Sequence, residues 1–163
     1  MTIDLNAFGQ STAKGKLEQT PTANIFSARV TAGSSVTLKP GMAVEIDASD
    51  TTKMLAVKPL TSTGTVFGFI PLVHKNNAIG LTATTTDVIE VAADNAVMVM
   101  EASEAIAKGS LIKYDYSTLK VGEADTAADA VVGIALEAAA ADGDLLKVLI
   151  KTPNVPAVVP AAG

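Results

Sequence analysis

The sequence predicts an all-β fold, and three features carry that expectation. Short runs of Val, Ile, Leu and Met recur through residues 27–151 and are cut at close intervals by Gly, Pro, Asn and Asp, the texture of a barrel or sandwich. Segments that favour helix, residues 123–129 and 137–141, are alanine-rich but too short to nucleate a helix alone, so only small helical pieces are expected. Hydrophobic residues make up 48% of the 163 positions while aromatics make up 4%, so the core must be filled by small aliphatic side chains. That is enough apolar surface for a single compact domain without covalent staples.

Residues 1–26 carry scattered apolar side chains, two glycines and several threonines without a sustained period of 2 or 3.6, and are expected to form an N-terminal arm. The β-rich core, residues 27–151, has candidate strands near 26–31, 42–47, 53–58, 65–72, 87–92, 96–101, 110–115, 118–121, 131–137 and 144–151. Two of these flank Asp94-Asn95, a pair that tolerates left-handed turn conformations, which predicts a hairpin across residues 87–101. After Lys151 the chain carries Pro153, Pro156 and Pro160, which oppose regular ladder pairing, so residues 152–163 are expected to form a Pro-rich extended tail.

The core also repeats weakly. The stretch from Lys39 through Gly41 to Asp47 lies over that from Ala107 through Gly109 to Asp115, and each is followed by a Val-x-Gly strand, at Val66-Phe67-Gly68 and Val131-Val132-Gly133. Glycine inside a strand marks a bulge or a close backbone approach, so two in matching places suggest one barrel corner used twice.

Composition narrows the functional classes. The absence of cysteine removes disulfides, thiolate nucleophiles and Cys-based zinc or iron–sulfur sites. A net charge of −5 without a basic stripe disfavours a nucleic-acid partner, and no apolar run reaches the ~20 residues that span a bilayer. The first residues lack the pattern of a signal peptide, so a soluble protein made in a cytoplasm is expected.

Catalytic motifs are not found, and no cofactor or metal is expected. His74, the single histidine, sits in an Asn-rich turn and reads as an exposed polar residue in preference to a general base. Ser34, Ser62 and Ser103 have no nucleophile elbow around them. The stretch from Gly9 to Lys16 has one residue too many for a phosphate-binding loop and carries Leu17 where Ser or Thr is needed. Residues 97–106 resemble the hairpin of biotinyl carrier domains, but Glu104 stands where the modified lysine would be, which supports a hairpin and excludes the carrier function. Asp142 and Asp144 around Gly143 read as a turn between strands; too few further oxygens accompany them for calcium.

From Ala130 to Ala140, through Val131-Val132-Gly133-Ile134-Ala135, and on through Gly143 to Ile150, the chain resembles the decoration or structural cement proteins of tailed-phage capsids. The Lys108-Gly109-Ser110-Leu111-Ile112 turn and strand belong to the same pattern, and the resemblance covers about residues 96–151. It implies a β-barrel protein without enzymatic activity, often a homotrimer, that binds the major capsid protein on the outside of an expanded head. Such a protein gains strength from multivalency, and extended arms suit it because each can add a strand to an exposed sheet edge. Ile3, Leu5, Phe8, Leu17, Ile25 and Phe26 in the first arm and Val155, Val158 and Val159 in the tail are therefore the expected interface residues. Two alternatives stand beside this reading. A carbohydrate- or ligand-binding β module would have only Tyr114 and Tyr116 as a platform, since the chain has no tryptophan; another virion subunit, such as a tail-tube protein, is the other.

Overall fold

The structure, a computed structural model, describes residues 14–18, 22–31, 36–62, 65–72, 81–83, 87–126 and 128–156. Among these the fold is all-β, in strands β1 (Leu17–Glu18), β2 (Ile25–Val30), β3 (Val36–Leu38), β4 (Ala43–Ile46), β5 (Ala56–Pro59), β6 (Gly68–Phe69), β7 (Leu81–Ala83), β8 (Val88–Ala92), β9 (Val97–Glu101), β10 (Leu111–Asp115), β11 (Lys120–Glu123), β12 (Ala130–Ala135) and β13 (Leu145–Pro156). Strands β2, β5, β4, β6 and β8 close into a barrel, β1-β9-β13-β12-β10-β11 form a six-stranded sheet, and β3 pairs with β7. All ten expected strand regions contain a strand, and β1, β3 and β7 are additional.

The six-stranded sheet repeats the plan of the barrel, strand for strand. The antiparallel register Ile25↔Ala92, Phe26↔Val91 and Ala28↔Ile89 of β2 and β8 recurs as Val97↔Leu149, Met98↔Val148 and Met100↔Leu146 of β9 and β13. Val44↔Gly68 of β4 and β6 recurs as Ile112↔Gly133 of β10 and β12, and Ile46↔Val57 of β4 and β5 recurs as Tyr114↔Val121 of β10 and β11. The first barrel closes by a parallel pair, Val30↔Val57; the six-stranded sheet curls into a second, barrel-like unit, joined at the equivalent place by the isolated parallel bridge Ala102↔Val121. Beside that closure Thr31 N–H donates to the Val57 carbonyl at 3.0 Å, and Ser103 N–H to the Val121 carbonyl at 2.8 Å. The two segments that align in sequence thus occupy equivalent positions, down to Asp47 and Asp115, each of whose Oδ1 accepts from the serine two residues on.

Small side chains and close packing go together in both barrels. Gly68 and Gly133 face the carbonyls of Ala92 and Leu149, and a Cβ at either would lie 2.6 Å from that oxygen and equally near the Val91 or Val148 side chain. Only glycine lets the two backbones approach so closely. One core, including Val30, Leu38, Val44, Val57 and Val91, fills the first barrel; a larger one, including Met98, Met100, Ile112, Leu146 and Ile150, fills the second and reaches Ala43, Phe69 and Ala92 of the first. Phe69 and Tyr114 meet edge to face at 5.3 Å across that junction.

Several local expectations are corrected. The turn at Asp94-Asn95 is present, with Asn95 at φ 64°, but β8 and β9 do not pair with each other. Each finds its partners inside its own barrel, β8 with β2 and β6, β9 with β13 and β1, so the turn is the passage between barrels. For the same reason residues 97–106 do not form the carrier-type hairpin. No helix forms over the described parts of 123–129 and 137–141, where short turns are held instead by Asp129 and Asp144 carboxylates accepting from backbone N–H groups. Pairing also runs past Lys151: a register shift between Val131 and Gly133 takes Pro153 out of the ladder, and β13 resumes with Val131↔Val155 and Ala130↔Pro156.

If Gly133 is required by that approach, Gly133→Ala should destabilise the protein by about 1–3 kcal/mol, as overpacking does. Gly109→Ala, at φ 90° with nothing near its added Cβ, carries only the left-handed backbone strain of about 1–2 kcal/mol and should cost less. Urea denaturation of the two variants checks the order; equal losses would contradict it.

Candidate assembly surface

The described part of the segment expected to be an arm is hydrogen-bonded to the sheets. Gly15, at φ 79°, fits between the barrels, where a Cβ would collide with Pro40 of the first. Its N–H donates to the Val99 carbonyl at 2.7 Å, its carbonyl accepts from Leu72 N–H at 2.7 Å, and Lys16 carbonyl accepts from Val99 N–H at 2.9 Å. Leu17 then lies opposite Met98 and packs on the larger core. Lys14 Nζ donates to the Leu119 carbonyl at 2.6 Å and meets Glu101 at 3.2 Å, while Lys120 bridges Glu101 at 2.9 Å and Asp142 at 2.7 Å.

That network fixes the charge state of Glu101, whose carboxyl is held below the ordinary range chiefly by the Lys120 hydrogen bond and then by Lys14, against the opposing cost of burial. A folded-state pKa below the unfolded one contributes stability above the ordinary carboxylate range, and that stability is lost as pH falls through the folded value.

The first barrel treats the equivalent strand edge differently. Phe26 corresponds to Met98, yet Met98 is fully buried beneath Leu17 whereas Phe26 is 39% exposed and leans on Phe67, ring centroids 5.3 Å apart. Ile25 is 43% exposed. Strand β5 pairs with β2 only at Arg29 and Val30, so no described strand pairs with Ile25, Phe26 or Ser27 on that side. At the far end of the same barrel Ile46, Met54 and Val88 are also exposed. Fully burying a side chain of the size of Phe26 contributes ~1.5–3 kcal/mol, so this edge is a place where association would be favourable.

Of the residues expected to form the interface, Ile25 and Phe26 come together on the exposed half of β2, while Leu17 is an internal packing residue. Val155 belongs to β13 by its backbone. Ile3, Leu5, Phe8, Val158 and Val159 lie outside the described residues, as do His74 and Ser34. Sequence reading missed Phe67, whose partnership with Phe26 requires the barrel, and the signal for it was its place beside the aligned Gly68.

A cleft of about 290 Å³ opens between the barrels, lined by Leu60, Val66, Lys113, Tyr114, Tyr116 and Asp129 among others. Tyr114, Lys113, Asp115 and Asp129 among its polar residues are already engaged. Tyr114 Oη accepts from Ala43 N–H at 3.2 Å, and burial pushes its pKa up to about 12. Lys113 pairs with Asp125 and Asp129 at 3.3 Å each, and Asp115 accepts from Ser117 and Thr118. No group of three or more His, Cys, Asp or Glu among the described residues is arranged to hold a metal ion, and no described helix is long and apolar enough to cross a membrane.

No family model and no curated protein matches the sequence. Among solved structures the chain is similar to the N base of the head fiber gp8.5 of bacteriophage phi29, with TM-score 0.50 and 14% identity, over 82% of this chain and 98% of that one. At that identity the likeness is one of fold.

The Glu101 network yields a pH prediction. Glu101→Gln should lower stability at neutral pH by about 0.5–1 kcal/mol, the scale of a partly exposed pair, and the difference from the unmodified protein should shrink below the ordinary carboxylate range. Denaturation midpoints followed from neutral to acid pH would show this; a difference that grows in acid would contradict it.

Proposed function

We propose that this chain is a structural component of a tailed-phage head, and more specifically a non-enzymatic decoration protein that binds the outside of the shell and ties neighbouring major capsid subunits together. The observation that carries the proposal is the exposed half of β2, where Ile25 and Phe26 project from an edge whose counterpart in the second barrel is covered. The fold likeness to a phage head fiber base, spanning nearly all of that chain, supports the phage-head part, and the resemblance of residues 96–151 to cement proteins supports the decoration part. The engagement of Tyr114, Lys113, Asp115 and Asp129 within the protein, in the cleft between the barrels, supports assembly over ligand binding or catalysis. In this reading the protein acts as a homotrimer, exterior on the virion, and its undescribed termini, residues 1–13 and 157–163, supply the contacts beyond β2.

The test is co-sedimentation with expanded, undecorated capsids. The full chain should pellet with the shells, and a form lacking residues 1–13 and 157–163 should keep its β circular dichroism while binding at least about tenfold more weakly, a loss of ~1.4 kcal/mol. Phe26→Ser in the full chain should weaken binding further. Undiminished binding by the folded, truncated protein would overturn the assignment of contacts to the termini, and absence of binding by the full chain would overturn the decoration role.

A further inference from the structure

The repeated strand plan shows how the exposed edge of β2 is completed. In the second barrel the outer edge of β9 receives an added strand: Val99 exchanges hydrogen bonds with Gly15 and Lys16, and Leu17 covers Met98. Ser27 stands where Val99 stands and Phe26 where Met98 stands, since Phe26↔Val91 and Ser27↔Glu90 match Met98↔Val148 and Val99↔Lys147. The edge is therefore built to the same geometry, with its apolar anchor in place and 39% exposed. We propose that the Ile25–Ser27 edge of β2 accepts an antiparallel strand from the N-terminal segment, residues 1–13, of a second copy of this chain.

Three observations select that occupant. Ile3, Leu5 and Ala7 alternate with Asp4 and Asn6 over five residues, short of a sustained period but long enough for an added strand, in which the apolar side chains would share one face and the polar ones the other, as Leu17 stands between Lys16 and Glu18. The segment ends at Lys14, so thirteen residues precede the last hold on the second barrel, several times the length of the open edge. Its direction favours another molecule over its own. Strand β1 runs toward the passage between barrels, with Glu18 opposite Val97, while Lys14 is held at the other end by Glu101 and Leu119. Lys14, to which the preceding residues are joined, thus stands at the far end of β9 from Asn24, which opens β2 and is bonded to Asp94 and Ala93. Filling its own edge would require the segment to double back. Passed from copy to copy, the segment makes a head-to-tail contact, which closes into a ring where the rotation between copies closes. The proposal deepens the oligomer part of the reading above: residues 1–13 and the β2 edge then strengthen attachment to the shell by joining copies into a multivalent assembly, and the strand pairing itself does not depend on the capsid part.

The absence of cysteine makes the test direct, because introduced thiols have no competitors. Two single variants of the full chain, Asp4→Cys and Ser27→Cys, are mixed and treated with a short bismaleimide. A covalent product containing one copy of each variant is expected, and Phe26→Ser in the second variant should reduce it about tenfold. Lys108→Cys, on an exposed turn of the other barrel, should give none with Asp4→Cys. Absence of the mixed product, or cross-linking in an Asp4→Cys/Ser27→Cys double variant that stays within one chain, would overturn the proposal. Co-sedimentation with capsids is read separately, so failure of the capsid reading leaves this result untouched.

Discussion

Closing a barrel on the parallel pair of its first and third strands leaves half of the first strand unpaired, and the rest of this molecule follows from how that half is used. In both barrels the parallel contact reaches only the C-terminal end of the first strand, at Arg29 and Val30 or at Ala102. The N-terminal half keeps backbone donors and acceptors on its outer side, and these need partners from protein or water. In the second barrel β1 provides them and Leu17 seals Met98 beneath. In the first barrel the equivalent residues Ile25, Phe26 and Ser27 are all exposed, and an aromatic side chain marks the spot.

This asymmetry separates folding from assembly. The second barrel carries the larger core and the Lys14–Glu101–Lys120–Asp142 network, and its covering strand also wedges Gly15 against Pro40, coupling the barrels. The first barrel presents Ile25 and Phe26 at one end and Ile46, Met54 and Val88 at the other. Main-chain pairing along an edge gives affinity with little demand on sequence, and alternate side chains set the fit. A chain poor in aromatics and without cysteine can therefore bind through strands where it lacks deep side-chain anchors, which is what the proposed decoration role requires.

Much of the fold was legible because local chemistry and tertiary need agreed. The apolar runs at 43–46, 88–92, 97–101 and 145–150 are strands because their turns are well marked, and the aligned Gly68 and Gly133 pointed to a shared corner because only a close backbone approach asks for glycine inside a strand. What failed was pairing. Asp94-Asn95 has the chemistry of a hairpin turn, yet which strands pair is settled by the register each strand finds inside its own barrel, and that is not a local property. Strand β1 escaped notice because two residues carry no period, and Leu17 was read as an interface residue when Met98, far along the chain, makes it a core one. The exposed Ile25 and Phe26 were legible as unplaced apolar residues, but their meaning came only from the covered counterpart.

Amide hydrogen exchange at matched positions tests the central claim most directly. Val99 and Ser27 hold equivalent places on the two barrels, the first bonded to Lys16 and the second without a described strand beside it. The account predicts that Val99 N–H is protected in dilute protein and in the assembled state alike, while Ser27 N–H exchanges freely when dilute and becomes protected on assembly. Protection of Ser27 in the dilute monomer, or free exchange of Ser27 in the assembled protein, would contradict it.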